Sequence, residues 1–141
     1  MQIWDTAGQE RFRNVAKNYF QSSHGFVLIY DITDKESFQK LDFWLEQIKN
    51  NSPKNIKLVL VGNKCDLFNE RRVSFEEAET FAKNNNMKFF EASAKDGTNV
   101  NELFYYLANE IYHDNNSVES NENNKVTLTK KKTKKPIKRF V

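Results

Sequence analysis

The clearest indication of the fold is Lys57-Leu-Val-Leu-Val-Gly-Asn-Lys-Cys-Asp66, a short apolar run that leads directly into a polar loop. Continuous apolar runs rich in β-branched residues are typical of strands that are covered on both faces. Gly25–Asp31 has the same character, so the sequence predicts two central strands, at 25–31 and 57–62. Residues 88–92 resemble a third strand, and residues 2–4 resemble the end of a strand at the N-terminus.

Three segments have the spacing of amphipathic helices. The spacing predicts one helix over 34–50, where apolar residues recur every three or four positions: Phe38, Leu41, Trp44, Leu45 and Ile48. Thr33 and Glu36 have the spacing of a capping box at the start of this helix. Ser74 and Glu77 repeat that signature before a second helix, and apolar residues from Val100 onward form one face of a third.

Strands and helices that alternate along a chain indicate an α/β fold with a mostly parallel sheet, because parallel neighbours need a crossover between them. Right-handed crossovers place the helices on both faces of that sheet. The 141 residues are enough for one domain. Ligands of such sheets bind at the carboxyl ends of the strands, so a site is expected in the loops that follow them.

Composition excludes several other classes of protein. Cys65 is the only cysteine, which excludes an internal disulfide, a CxxC redox pair and a thiolate zinc site. His24 and His113 are far apart in the sequence, which argues against a histidine metal site. The longest apolar run, residues 26–30, is far shorter than the roughly 20 residues of a membrane-spanning helix. We therefore expect a soluble, intracellular protein.

Three polar loops each follow a predicted strand. They are Asp5-Thr-Ala-Gly-Gln-Glu10, Asn63-Lys-Cys-Asp66 and Ser93-Ala-Lys95. Taken singly, each loop could be an ordinary turn. Their order, and the position of each directly after a strand, are much harder to explain by chance.

These loops resemble the third, fourth and fifth guanine-nucleotide motifs of the Ras-like small GTPases. Trp4-Asp-Thr-Ala-Gly-Gln-Glu-Arg-Phe12, Leu28-Ile-Tyr-Asp-Ile-Thr33 and Glu91-Ala-Ser-Ala-Lys95 resemble the Rab branch, whose members regulate vesicle traffic. The resemblance covers residues 1–112. It implies a P-loop GTPase-type fold, a cytoplasmic protein that is peripheral on endomembranes, and Rab-type regulators and effectors as partners.

The resemblance also implies roles on the phosphate side of a bound GTP or GDP. Asp5 would hold Mg²⁺ through water, and Gly8 would donate its backbone N–H to the γ-phosphate. Gln9 would be the catalytic residue, because its amide would orient the attacking water.

On the base side, the resemblance implies a guanine site formed by Asn63, Lys64, Asp66, Ser93, Ala94 and Lys95. Asp66 would accept hydrogen bonds from N1 and N2 of guanine, which are donors that adenine cannot supply. The stems of Lys64 and Lys95 would flank the base. Asn63 would brace its loop, and the Ala94 N–H would donate to guanine O6.

Aromatic residues near the N-terminus suggest a protein-binding surface. Trp4 and Tyr19 match two members of the aromatic triad through which Rabs contact effectors, and Phe12 would extend that surface. The alternative is that Trp4 and Tyr19 only pack against neighbouring residues.

The family's phosphate-binding GxxxxGK[ST] loop does not occur in these 141 residues, because the four glycines precede Gln9, Phe26, Asn63 and Thr98. The resemblance then implies an incomplete, N-terminally truncated domain that lacks the first two strands and the first helix. We expect such a form to bind nucleotide weakly and to be inactive alone.

The charge distribution separates a body from a tail. Residues 1–112 carry 14 Lys and Arg against 16 Asp and Glu, whereas residues 113–141 carry 8 against 3. We expect 113–141 to be a disordered tail, first Asn-rich and then basic, because it has few apolar residues. It has no cysteine for a prenyl anchor, but its basic residues could contact an anionic membrane or nucleic acid.

Three functions therefore remain open. The first is a truncated Rab-like GTPase. The second is a non-enzymatic interaction module that retains the aromatic surface, and the third is a nucleic-acid or lipid binder that acts through the basic tail.

The 141-residue chain by itself is predicted to hydrolyse GTP no faster than buffer, because the sequence contains no loop that cradles the phosphates. Phosphate release under multiple-turnover conditions measures this rate. Hydrolysis that is abolished by Gln9→Leu would contradict the prediction.

Overall fold

The computed structural model of the chain describes residues 2–3 and 20–122. In this part, three strands form a parallel sheet in the order β1 (Gly25–Asp31), β2 (Lys57–Asn63) and β3 (Lys88–Glu91). The central strand, β2, pairs with β1 along its whole length and with β3 over four residues. All three strands begin where the sequence predicts them.

Helices connect and follow the strands. They are α1 (Lys35–Gln39), α2 (Leu41–Asn51), a 3₁₀ helix (Cys65–Glu70), α3 (Phe75–Asn84) and α4 (Val100–Glu122). The 3₁₀ helix is not predicted by the sequence pattern. Ser74 caps α3 as predicted, because its hydroxyl accepts a hydrogen bond from the Glu77 N–H at 3.1 Å.

Two apolar clusters cover the two faces of the sheet. One joins β1 and β2 to α1, α2 and α3 through Leu28, Tyr30, Phe38, Leu45, Leu60 and Ala82. The other joins β2 to α4 through Val59, Val61, Leu103 and Leu107. Alternate residues of β2 therefore belong to different clusters, as expected when successive side chains point to opposite faces. The predicted α/β fold, with a parallel sheet and helices on both faces, is confirmed.

The predicted helix over 34–50 is two helices in the structure, with Lys40 between α1 and α2. The predicted cap is also wrong. Asp34 caps α1 by accepting a hydrogen bond from the Glu36 N–H at 2.9 Å. Thr33 instead donates its hydroxyl to Asp31 at 2.7 Å, so its side chain is engaged at the end of β1.

At the N-terminus, Gln2 and Ile3 are not part of a strand, and Trp4 lies outside the described residues. Among the described residues, no strand pairs with the other edge of β1. Ile29 of β1 is 59% exposed, although it is an aliphatic residue in the middle of a strand.

The last helix extends beyond the body that the sequence predicts. Its backbone continues to Glu122 and so includes 113–122, the first part of the segment that the sequence predicts to be a disordered tail. The first of these extra turns is anchored to the sheet, because Asp114 contacts Lys57 Nζ at 3.0 Å and Asn55 Nδ2 at 3.2 Å. The expectation for 123–141 falls outside the described residues. None of the helices within 20–122 is both long and apolar enough to be a membrane span.

Gly62 of β2 is opposite the buried Tyr30 of β1. A Cβ at this position would lie 2.7 Å from the Tyr30 hydroxyl and 3.0 Å from Ile32. Neither side chain has room to move, because Tyr30 is 1% and Ile32 0% exposed. Burial raises the pKa of the Tyr30 hydroxyl, which has no hydrogen-bond partner among the described residues.

Gly62→Ala is therefore predicted to lower the free energy of unfolding by about 1–3 kcal/mol through overpacking. The same substitution should cost less in a Tyr30→Phe background, where the hydroxyl nearest to the new Cβ is absent. Urea unfolding followed by circular dichroism measures both costs. Equal costs in the two backgrounds would show that the Tyr30 hydroxyl is not the cause.

Candidate functional site

The predicted site residues fall into two groups. Those of the phosphate side and the aromatic surface lie outside the described residues: Trp4, Asp5, Gly8, Gln9, Phe12 and Tyr19. Those of the base side are all described. The structure brings them together at the carboxyl ends of β2 and β3, where a cleft of about 480 Å³ is lined by Asn63, Lys64, Asp66, Leu67, Ala94 and Lys95. Leu67 is a lining residue that the sequence analysis did not identify.

The pairing of β2 with β3 continues past the strand ends into the two loops. The Ala92 N–H donates to the Gly62 carbonyl at 2.9 Å, and the Cys65 N–H donates to the Ala92 carbonyl at 3.1 Å. Lys64 then adopts a left-handed conformation, with φ 65° and ψ 37°, that turns the chain into the 3₁₀ helix. This sharp turn places Asp66 beside the loop that begins at Ser93.

Ser93 is completely buried, and its hydroxyl organises the base side of the cleft. It donates to Asp66 Oδ1 at 2.7 Å. It also accepts from the backbone N–H groups of Lys95 and Asp96, both at 3.3 Å. The resemblance implied a place for Ser93 in the site but no role, and in the structure its hydroxyl holds the Asp66 carboxylate.

The Asp66 carboxylate retains capacity to accept further hydrogen bonds. A carboxylate offers about four lone-pair sites, of which Ser93 uses one. Oδ2 lies 3.8 Å from Lys95 Nζ, which is longer than a hydrogen bond. The Lys95 side chain is 81% exposed, so this ion pair is screened by solvent. The cleft therefore presents an anchored acceptor to any ligand that carries N–H donors.

Asn63 links the two loops directly. Its Oδ1 accepts a hydrogen bond from the Ala94 N–H at 3.1 Å. This N–H is the donor that the resemblance assigns to guanine O6, so a bound base must share it with Asn63 or displace Asn63 from it.

Lys64 contacts a residue that the sequence analysis did not assign to the site. Its Nζ lies 2.6 Å from Asp31 Oδ2, at the end of β1. Burial alone would raise the pKa of the Asp31 carboxyl, but hydrogen bonds from Lys64 and Thr33 bring it below its ordinary value. The signal in the sequence was an acidic residue at the carboxyl end of a predicted strand.

A second ion pair lies next to the two cleft loops. Arg71 forms a bidentate pair with Glu91, with distances of 2.5 and 2.8 Å. It connects the segment after the 3₁₀ helix to β3, directly before the Ser93 loop. Twenty residues separate the two partners, and no local pattern in the sequence indicates that they meet.

The described residues contain no group of three or more His, Cys, Asp or Glu side chains that could hold a metal ion. Asp5, the residue expected to hold Mg²⁺ through water, is outside them. The metal site therefore stays a prediction from the resemblance.

Comparison with known proteins places this site in a family. A family model described as the Ras family matches residues 1–113. The GTP-binding protein ypt2 of Schizosaccharomyces pombe is 43% identical over 138 residues, which cover 96% of this chain and 69% of ypt2. YPT1 of Saccharomyces cerevisiae is 47% identical over 111 residues, covering 79% of this chain and 54% of YPT1.

Rab-13 of Bos taurus is 41% identical over 133 residues, which cover 94% of this chain and 66% of Rab-13. The chain thus spans between about half and two thirds of the length of these curated relatives. The family match includes the cleft loops at 63–66 and 93–95, as well as the predicted loop at 5–10. The chain belongs to the Ras family and, within it, to the Rab branch of small GTPases.

Proposed function

We propose that the cleft is the guanine-recognition half of a Rab-type GTP-binding site, and that the complete protein binds and hydrolyses GTP to regulate vesicle traffic. The observation that carries this proposal is the Asp66 carboxylate. It is anchored on one side by the fully buried Ser93 hydroxyl, and it lines an open cleft.

The chemistry of the carboxylate favours guanine over adenine. Guanine presents N1–H and N2–H side by side, and both can donate to Asp66. Adenine presents an acceptor at N1, which an ionised carboxylate repels because it has acceptors only. Ser93 supports this selectivity by holding the carboxylate, so the acceptor is in place before the base arrives.

The base contacts alone give weak binding. Two or three charge-assisted hydrogen bonds contribute roughly 1.5–3 kcal/mol each, and association costs at least about 4 kcal/mol. The expected dissociation constant is millimolar or weaker. Tight binding would need the phosphate side of the site.

The phosphate side is proposed from the family alone. Asp5 would hold Mg²⁺ through water, Gly8 would contact the γ-phosphate and Gln9 would orient the attacking water. Mg²⁺, when bound, neutralises the charge of the phosphates.

The partners and the localisation are proposed from the family as well. The effector-binding residues would be Trp4, Phe12 and Tyr19. The protein would work in the cytoplasm, peripheral on endomembranes.

If the cleft binds guanine, titration of the 141-residue chain with millimolar GMP should shift the backbone amide signals of Asn63, Asp66 and Ala94. AMP at the same concentrations should shift them much less, because it lacks the donors that Asp66 accepts. Two-dimensional NMR measures both titrations, and Asp66→Ala should abolish the difference between them.

The matched control is Glu70→Ala, which removes an exposed carboxylate from the same 3₁₀ helix without touching the cleft lining. It should leave the preference for GMP unchanged. Equal shifts with GMP and AMP in the unmodified chain would overturn the assignment of Asp66 to base recognition.

A further inference from the structure

We propose that Asp31 is a positioning residue of the base site, which holds Lys64 against the cleft before nucleotide binds. The inference rests on the proposed function, because it concerns how the same cleft is preorganised for a guanine nucleotide. Asp31 does not line the cleft, so its effect would be exerted through Lys64.

The Asp31 carboxylate is itself fixed in place. Its Oδ1 accepts two hydrogen bonds from Thr33, one from the backbone N–H at 2.8 Å and one from the hydroxyl at 2.7 Å. This turn at the end of β1 leaves Oδ2 for Lys64 Nζ, at 2.6 Å. The two oxygens of Asp31 therefore have separate tasks.

Strand pairing brings the two partners together. Asp31 is opposite Asn63 in the register of β1 and β2, and Lys64 is the next residue. The Ile32 N–H continues this pairing by donating to the Asn63 carbonyl at 3.1 Å. The position of the Asp31 carboxylate beside Lys64 is thus set by the backbone of the sheet.

Lys64 needs such a partner for two reasons. Its left-handed backbone is unfavourable for a residue with a Cβ, so the loop depends on contacts that maintain it. Its side chain is half exposed and would otherwise sample many rotamers. A lysine stem that already lies along the cleft loses less entropy when a base packs against it.

The size of the effect follows from that entropy. Ordering one flexible side chain on binding costs about 0.5–1.5 kcal/mol, which is roughly a two- to tenfold change in affinity. Exposed ion pairs contribute little to folding stability, so the main consequence is expected in ligand affinity.

The test uses Asp31→Asn in the 141-residue chain, because the asparagine Oδ1 can still accept from Thr33 while its Nδ2 cannot accept from Lys64. GMP binding is followed by the NMR shifts of Ala94. We expect Asp31→Asn to weaken binding about two- to tenfold. Asp42→Asn, the same chemical change at an exposed position of α2, should have no effect.

A double-mutant cycle separates positioning from a general structural role. In a Lys64→Met background, Asp31→Asn should cause no further loss of GMP affinity, because the lysine through which Asp31 acts is absent. Equal losses in both backgrounds would overturn the proposal. Unchanged GMP binding by Asp31→Asn alone would also overturn the proposal. Tighter GMP binding would overturn it as well, because it would mean that Asp31 competes with the nucleotide for Lys64.

A readout without nucleotide distinguishes the failure of this proposal from the failure of the proposed function. The ¹³C signal of the Asp31 carboxyl should titrate at lower pH in the unmodified chain than in Lys64→Met, since the ammonium favours the ionised carboxylate. The charges of Asp34 and Asp66 also act on Lys64. Asp42→Asn again serves as the control and should leave the titration of the Asp31 carboxyl unchanged. If this difference is present but GMP does not bind, the proposed function fails and the pairing stands; if the difference is absent, the positioning proposal fails.

Discussion

The pairing of the central strand with its two parallel neighbours positions the helices and the cleft loops. β2 runs beside β1 from Gly25 opposite Lys57 to Asp31 opposite Asn63, and it pairs with β3 up to Glu91. Because all three strands point the same way, their polar loops emerge at one edge of the sheet. At the other end of β2, Lys57 binds Asp114 and attaches α4. The central strand is therefore held at both ends and between two apolar layers.

At the carboxyl edge, three polar contacts convert this alignment into a cleft. Ser93 holds Asp66, Asn63 accepts from the Ala94 N–H, and Asp31 pairs with Lys64. The contacts differ in energetic character. Ser93 is buried, so its loss would leave polar groups without partners, which costs about 1–3 kcal/mol. Lys64 is half exposed, so its ion pair orients a side chain more than it stabilises the fold.

The sequence predicted correctly those features that depend on neighbouring residues. Apolar runs rich in β-branched residues predicted β1 and β2, and the sequence also indicated a third strand at 88–92. Ser74 with Glu77 predicted the start of α3. The same reasoning was wrong around Thr33, because Thr33 and Asp34 both carry capping oxygens and periodicity cannot choose between them. The hydroxyl of Thr33 is used by Asp31, which leaves Asp34 to cap the helix. The break at Lys40 was missed because the apolar spacing continues across it.

The fold class, the family and the identity of the base-side loops could all be predicted from the sequence, because they depend on short patterns and their order along the chain. The side chains that support those loops could be identified only from the three-dimensional fold. Asp31 meets Lys64, and Arg71 meets Glu91, through strand register and the path of the 3₁₀ helix. Charged residues make up 29% of this chain, so composition and spacing cannot indicate which pairs form. A pair forms where the fold brings two opposite charges close together, and the pairing of the strands sets the distance between them.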